Sequence, residues 1–173
     1  LPERIGGARN WDYRYTWIRD ASFTLYGLMR LGYTDESAAF MRWVEARCAE
    51  REPDGSLQIM YGIDGRHDLP EEELLHLEGY MGSRPVRIGN AAVNQMQLDV
   101  YGEVLDALHL GRRRGLAADD DAWSLERALL SYLERAWREP DEGIWEVRGP
   151  RRHFTHSKVM AWVAFDRAIK ASE

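Results

Sequence analysis

The sequence has one cysteine, Cys48, among 173 residues, so it cannot form an intramolecular disulfide. This excludes the small secreted domains that depend on a disulfide framework, and we expect Cys48 to be a buried, inert thiol. No apolar run approaches the roughly 20 residues that a membrane-spanning helix needs, and no signal peptide opens the chain. We therefore expect no membrane partner and a cytoplasmic location, although any signal sequence would lie upstream of Leu1.

Positive charge is not in excess either. The net charge is −6 with both signs interspersed, which gives no electrostatic case for nucleic acid. The five histidines do not have the spacing of a zinc site, and the chain has no G-x-S-x-G elbow and no phosphate-binding P-loop. We therefore expect neither a metal nor an organic cofactor.

The chain is 45% hydrophobic, enough for one core. Apolar residues recurring at helical spacing predict five amphipathic helices. Their predicted spans are 17–31, 35–50, 91–110, from Asp119 to the stop at Pro140, and from about Ser157 onward.

The connections between these helices carry most of the polar aromatic and glycine-rich sequence. Gly32 is predicted to end the first helix and Thr34 to be the N-cap of the second. Residues 57–61 are predicted to be extended, Pro70 to start a helical turn or two over residues 71–73, and residues 143–156 to form a compact loop or hairpin. Helices that alternate with such loops favour a helical hairpin array or a toroid.

The segment RNWDYRYTWIRD, residues 9–20, concentrates aromatic, guanidinium and carboxylate side chains. Aromatic faces cover the C–H face of a sugar ring, while Arg and Asp supply paired hydrogen bonds to its hydroxyls. The alternation of aromatic and polar residues is equally typical of a half-buried strand. Since Arg19 and Asp20 run directly into the first predicted helix, they are placed at a helix N-terminus, and this favours the sugar pocket.

Glu146 lies in the glycine-bounded loop G-I-W-E-V-R-G beside Trp145. A carboxylic acid next to an indole is partly desolvated, which favours its protonated form and suits a general acid. The alternative is an exposed carboxylate paired with Arg148 or Arg151. The residues alone leave both interpretations open.

A second loop, residues 79–90, holds Arg84 and Arg87 around Pro85, just before a predicted helix. The two arginines could hold sugar hydroxyls or an anion. Bracing of the loop is an equally good interpretation.

Four motifs in order resemble bacterial members of glycoside hydrolase family 15, which includes glucoamylases, glucodextranases and trehalases. The motifs are GGARNWDYRYTWIRDASFTL, LQIMYGIDG, GSRPVRIGNAAVNQMQLDVYGEVLDAL and GIWEVRGPRRHFTHSKVMAWVAFDRA. The resemblance implies an all-α fold, an (α/α)6 toroid of six inner and six outer helices. Residues 1–173 would form about the first half of that catalytic domain, without the β-rich domain that precedes it in bacterial members.

The resemblance also implies roles for particular residues. Glu146 would be the general acid, with Trp145 completing the Trp-Glu pair of the substrate site. The residues that would hold the non-reducing-end glucose are Tyr13, Trp17, Arg19 and Asp20. Arg84 and Pro85 match the Arg-Pro loop that borders this pocket.

Two departures qualify the resemblance. Val147 stands where fungal glucoamylases have a second glutamate, which places a preference for starch chains in doubt. The family's general base, a glutamate of the second half of the barrel, would lie beyond Glu173. An inverting hydrolase needs both an acid and a base, so we expect the isolated chain to be inactive.

The expected function is that of an inverting α-glucosidase of glucoamylase or trehalase type, acting on a small or oligomeric α-glucoside. The alternatives are a non-catalytic carbohydrate-binding fragment and a glycoside phosphorylase, for which Arg84 or Arg87 would face phosphate. Half a toroid would leave apolar helix faces uncovered, so a homo-oligomer is a possible state.

Overall fold

The computed structural model describes residues 2–50, 52–116 and 120–172. The described part is mostly helical, which confirms the predicted all-α class. Its helices are α1 Ile18–Leu31, α2 Thr34–Ala49, α3 Asp99–Arg113, α4 Asp120–Ala136 and α5 Thr155–Ser172, with 3-10 turns at Tyr80–Gly82 and Ala91–Asn94. Two antiparallel two-stranded sheets pair β1 Thr16–Trp17 with β2 Met60–Tyr61, and β3 Glu72–Glu73 with β4 Arg87–Ile88.

Helices α1, α3 and α5 form one layer with α3 in the middle, and α2 packs on α1. Helix α3 is buried along nearly its whole length, including Val100, Tyr101, Val104 and Leu105. Burying such side chains contributes about 1.5–3 kcal/mol each, so this helix anchors the core. Cys48 is buried, as predicted. Within the described ranges, no helix is long and apolar enough to cross a membrane.

The first helix follows its sequence signals closely. Trp17 is extended, at φ −76° and ψ 136°, and the helix begins with the next residue. It ends at Gly32, whose φ of 88° lies in the left-handed region that glycine adopts without strain. The predicted N-cap Thr34 is wrong, because the carbonyl of Tyr33 already accepts the first helical bond, from the N–H of Ser37 at 3.0 Å. Tyr33 is therefore the cap.

The predicted single helix 91–110 is also wrong. A 3-10 turn ends at Asn94, the chain then runs irregularly, and α3 starts only at Asp99 and continues past Gly111 to Arg113. The break is held from another loop: Glu142 accepts the N–H of Met96 at 2.9 Å, and Asp141 accepts that of Leu98 at 3.0 Å. Apolar periodicity does not report such bonds, because their acceptors lie over 40 residues away in the chain.

The helical turn predicted after Pro70 is a strand instead. Glu72 and Glu73 pair with Ile88 and Arg87 in a two-stranded sheet. Their neighbour Glu71 accepts the N–H of Ala91 at 2.9 Å. Glutamate is a good helix former, but helix propensity is a weak preference, and these long-range bonds override it.

The remaining predictions concern shorter segments of the chain. Of the predicted extended residues 57–61, only Met60 and Tyr61 pair as a strand. The compact loop before the last helix is closed by a bridge between Asp141 and Arg152. The predicted helix start at Asp119 lies outside the described residues.

Gly102 marks the closest approach of α3 to α5. A Cβ atom there would lie 2.2 Å from the backbone oxygen of Met160, whereas one on Gly27 of α1 would meet nothing within 4 Å. We predict that Gly102→Ala lowers the free energy of unfolding by about 1–3 kcal/mol, because the two backbones must move apart. The matched change Gly27→Ala should raise it by up to about 1 kcal/mol through helix propensity. Chemical denaturation measures the free energy of unfolding of both variants. Equal changes in the two would contradict the close packing of α3 on α5 at Gly102.

Candidate active site

The segment 9–20 reaches the core through the short sheet at its end. Trp17 pairs with Met60, and the N–H of Ile18 donates to the oxygen of Ile59 at 2.9 Å. This pairing fixes where α1 begins. Arg19 and Asp20 therefore lie in its first turn, as the sequence predicts.

Asp12 fastens the same segment to the loop at residues 87–90. Its carboxylate, 3% exposed, accepts hydrogen bonds from the side chain of Arg14 at 2.7 and 2.8 Å, the hydroxyl of Tyr15 at 3.0 Å and the N–H of Gly89 at 3.1 Å. The bonds from Arg14, and to a lesser degree that from Tyr15, lower the pKa of Asp12 to about 2. The sequence analysis gave this residue no role, because the donors that mark it are distant in sequence.

Glu146 meets the segment from the other side. The indole N–H of Trp17 donates to its Oε1 at 2.5 Å, and Nη2 of Arg19 lies 3.8 Å from the same oxygen. Glu146 has a φ of 54°, in the left-handed region that residues with a side chain rarely adopt. Strain of this kind persists only where surrounding contacts hold it, and such residues cluster at functional sites.

Burial raises the pKa of Glu146, while the hydrogen bond from Trp17 and the charge of Arg19 oppose that rise. The expected desolvated carboxyl is therefore present, but its source differs from the predicted one. Trp145 is 83% exposed, and the indole that contacts the carboxylate is that of Trp17. Contact with Trp17 could not be read from sequence, since 129 residues separate the pair.

The alternative ion pairs of Glu146 are not formed. Arg148 donates to Glu71 at 3.1 Å and to Asn90 at 2.9 Å. Arg151 pairs with Glu142 at 2.9 Å. Both guanidinium groups therefore brace neighbouring loop residues, and Arg148 acts on Glu146 only through its charge.

Arg19 joins helix α1 to the loop that carries Glu146. Its side chain is largely buried, with Nη1 donating to the oxygen of Ile144 at 3.1 Å and Nη2 to Asp20 at 3.0 Å. Asp20 remains mostly exposed. Its carboxylate is therefore accessible to a ligand while its guanidinium partner is fixed.

These side chains surround a cavity of about 880 Å³. Six of the seven predicted site residues line it: Tyr13, Trp17, Arg19, Asp20, Trp145 and Glu146. The volume lies within the range of small-molecule pockets. Aromatic faces with a few fixed polar groups can bind a sugar ring and present one carboxyl to it.

Arg84, the seventh, does not line this cavity. It is exposed, and its Nε donates to the oxygen of Glu78 at 3.4 Å. Its part in substrate binding stays a prediction.

Trp11 is a wall residue that the sequence analysis did not single out. The guanidinium carbons of Arg87 and Arg148 lie 4.6 and 4.5 Å from its ring centre, and its Nε1 donates to Glu3 at 3.1 Å. Arg87 is further held by Glu73 at 2.9 Å. Arg87 thus braces the loop, one of the two interpretations left open for it, and supports the pocket wall through Trp11.

Among the residues that the structure describes, no three His, Cys, Asp or Glu side chains are grouped so that they could hold a metal ion. The lining of the pocket provides hydrogen-bonding side chains, aromatic faces and the desolvated carboxyl of Glu146.

The described helices form a layered helical domain, and its loops form a pocket lined by aromatic and charged side chains. The chain belongs to glycosyl hydrolases family 15, whose family model matches residues 1–173. No solved structure gives a significant match.

Several curated relatives are trehalases. The trehalase of Mycolicibacterium smegmatis is 48% identical over 177 residues, covering all of this chain and 26% of that protein. The trehalase of Thermoplasma acidophilum is 43% identical over 98% of the chain and 28% of its own length. An isomaltose glucohydrolase from Kribbella flavida is 28% identical over 80% of the chain and 35% of its own length. The chain thus spans about a quarter to a third of the relatives it matches.

We predict that Asp12→Asn lowers the free energy of unfolding by about 1–3 kcal/mol at pH 7, because Arg14, Tyr15 and the N–H of Gly89 lose their buried carboxylate acceptor. The pKa of Asp12 is depressed, so its stabilisation is complete above the ordinary carboxylate pKa and disappears as the pH falls to about 2. The difference in free energy of unfolding between Asp12→Asn and wild type should therefore become smaller below pH 4.

The control for this prediction is Asp68→Asn, which alters an exposed carboxylate. Urea denaturation across the pH range makes the comparison. The stabilising role of the Asp12 carboxylate would be contradicted if the difference in free energy of unfolding stayed constant down to pH 2. An equal difference for Asp68→Asn would contradict it too.

Proposed function

We propose that the protein carrying these residues hydrolyses an α-glucosidic bond of trehalose, with Glu146 as general acid. The observation that carries this proposal is the desolvated carboxyl of Glu146, held between the Trp17 indole and Arg19 in a pocket of sugar-binding character. Trehalase relatives at 43–48% identity support the choice of substrate over the maltooligosaccharides of a glucoamylase. Val147, in place of a second glutamate, favours the same choice.

The glucose ring at the non-reducing end would lie in the pocket, with Asp20 and Arg19 bonding its hydroxyls and Tyr13, Trp17 and Trp145 as aromatic walls. Glu146 would give its proton to the glycosidic oxygen as that bond to C1 breaks. A water molecule would attack C1 from the opposite face and lose its proton to a second carboxylate, which inverts the anomeric centre. The raised pKa of Glu146 keeps the donor protonated at a higher pH than an ordinary glutamate.

We further propose that residues 1–173 form about the first half of an (α/α)6 toroid and that the general base belongs to the other half. An inverting pair of carboxyls is separated by about 6.5–9.5 Å to admit the water. Of the other carboxylates along the pocket, Glu3 is paired with Arg9, and Asp20 is assigned above to the hydroxyls of the glucose ring. The much greater length of the relatives is consistent with a base supplied from elsewhere.

We predict that Glu146→Gln in the full-length protein lowers kcat for trehalose at least 100-fold, because the amide is too weak an acid to protonate the glycosidic oxygen. Release of glucose, with the anomer followed by NMR, measures the effect. The product should be an equal mixture of α- and β-glucose at first release, since attack on trehalose with inversion yields one β-glucose and frees one α-glucose.

Glu139→Gln, on an exposed residue outside the pocket, is the matched control and should leave kcat unchanged. Residues 1–173 alone should give no turnover. Full activity of the Glu146→Gln variant would show that Glu146 is not the general acid. An enzyme-like rate from residues 1–173 alone would contradict the proposal that the general base lies in the other half of the domain.

The hydrogen bond from Trp17 stabilises the charged form of Glu146, so its removal should raise the pKa further. We predict that Trp17→Phe moves the alkaline limb of the kcat/KM profile to higher pH, because the acid stays protonated longer. The pH dependence of trehalose hydrolysis tests this. An alkaline limb that stays in place or moves to lower pH would contradict the claim that the hydrogen bond from Trp17 lowers the pKa of Glu146.

A further inference from the structure

A smaller cavity, of about 190 Å³, opens between α1 and α3. It is lined by Ser22, Phe23, Tyr26, Glu103, Asp106 and Ala107. None of these residues lines the sugar pocket, so the α1–α3 groove is a separate feature.

Glu103 is the unusual member of this groove. It is only 5% exposed, and its Oε1 has no hydrogen-bond partner among the described residues. By contrast, Asp106 one turn later is bonded by Arg167 of α5. A buried carboxylate oxygen without a donor is costly, and natural structures rarely leave one so.

The charges around Glu103 do not provide that donor. Burial is the largest cause that raises its pKa, to about 7, and the carboxylates of Asp99, Asp106 and Asp20 act in the same direction. The charge of Arg19 acts against them, and the hydrogen bonds of its guanidinium go to Ile144 and Asp20. On the α5 side, Arg167 is bonded to Asp106, and His156 faces Asp99 at 3.9 Å. The groove is therefore short of positive charge.

Its other wall is aromatic and open. Phe23 and Tyr26 lie one turn apart on α1, and both are exposed. The ring of Tyr26 already stacks with the guanidinium of Arg30 at 5.1 Å, so cations suit this surface. An unpartnered carboxylate beside aromatic faces matches the shape and charge of a basic side chain.

We propose that the α1–α3 groove receives an arginine or lysine side chain from another segment of the same, longer polypeptide, which pairs with Glu103. The inference rests on the proposed domain organisation, in which further helices complete the toroid. This chain corresponds to only 26–28% of two trehalase relatives, so ample polypeptide is available to supply the residue. The pair would join the described helices to the remainder of the domain.

The test is the thermal stability of full-length Glu103→Gln against wild type at pH 8 and pH 5. With a basic partner, the charged form of Glu103 is favoured in the folded protein, and that stabilisation is present above the ordinary glutamate pKa. The variant should therefore melt several degrees below wild type at pH 8. Without a partner, the loss of a buried, uncompensated charge would instead raise the melting temperature at pH 8 and leave it equal at pH 5, and this would overturn the proposal.

Glu103→Asp separates charge from packing, because it keeps the carboxylate on a shorter side chain. It should retain more of the stability at pH 8 than Glu103→Gln does, and an equal or greater loss would overturn the ion pair. A stability difference that grows with protein concentration would point to a second copy of the chain and would also overturn the proposal. Trehalose hydrolysis by the wild-type protein is assayed separately, so failure of the enzymatic function and failure of this pair are distinguishable.

Discussion

The hydrogen bond from the Trp17 indole to the carboxylate of Glu146 joins two segments that lie 129 residues apart in the sequence. Trp17 stands at the junction of a strand and helix α1, while Glu146 stands in a loop, at a backbone angle that is unfavourable for glutamate. Arg19, in the first turn of the helix, donates to the oxygen of Ile144 in the same loop. The pocket exists because these contacts hold the loop against the start of the helix.

The surrounding structure serves to keep both partners in place. Asp12 fixes the segment before Trp17 to the loop at Gly89, and Asp141 and Glu142 fix the loop of Glu146 to the start of α3. Each of these carboxylates accepts a backbone N–H from a distant segment, so the polar framework rests on bonds between loops. The helices beneath supply a rigid core, which is the usual division between scaffold and site. The groove at Glu103 extends this view, since it marks where the scaffold would meet the rest of its domain.

Sequence periodicity predicted the five helices well, because each buries an apolar face at helical spacing. It failed at residues 91–98, where Asp141 and Glu142 accept backbone N–H groups and interrupt the helix. The helical turn expected after Pro70 was wrong as well, because Glu72–Glu73 pairs as a strand. The motifs identified six of the residues that line the pocket. They could not identify which indole contacts Glu146, nor the bracing of Trp11 by Arg87 and Arg148, because those contacts are made only in the folded chain.

The central claim is that the carboxyl held by Trp17 and Arg19 faces the bond that is broken. A crystal structure of the full-length Glu146→Gln variant with trehalose bound tests it most directly. The account predicts one glucose ring in the pocket, bonded by Arg19 and Asp20, with the side-chain amide at position 146 within hydrogen-bond distance of the glycosidic oxygen. Trehalose bound elsewhere, or with its glycosidic oxygen out of reach of position 146, would contradict the account.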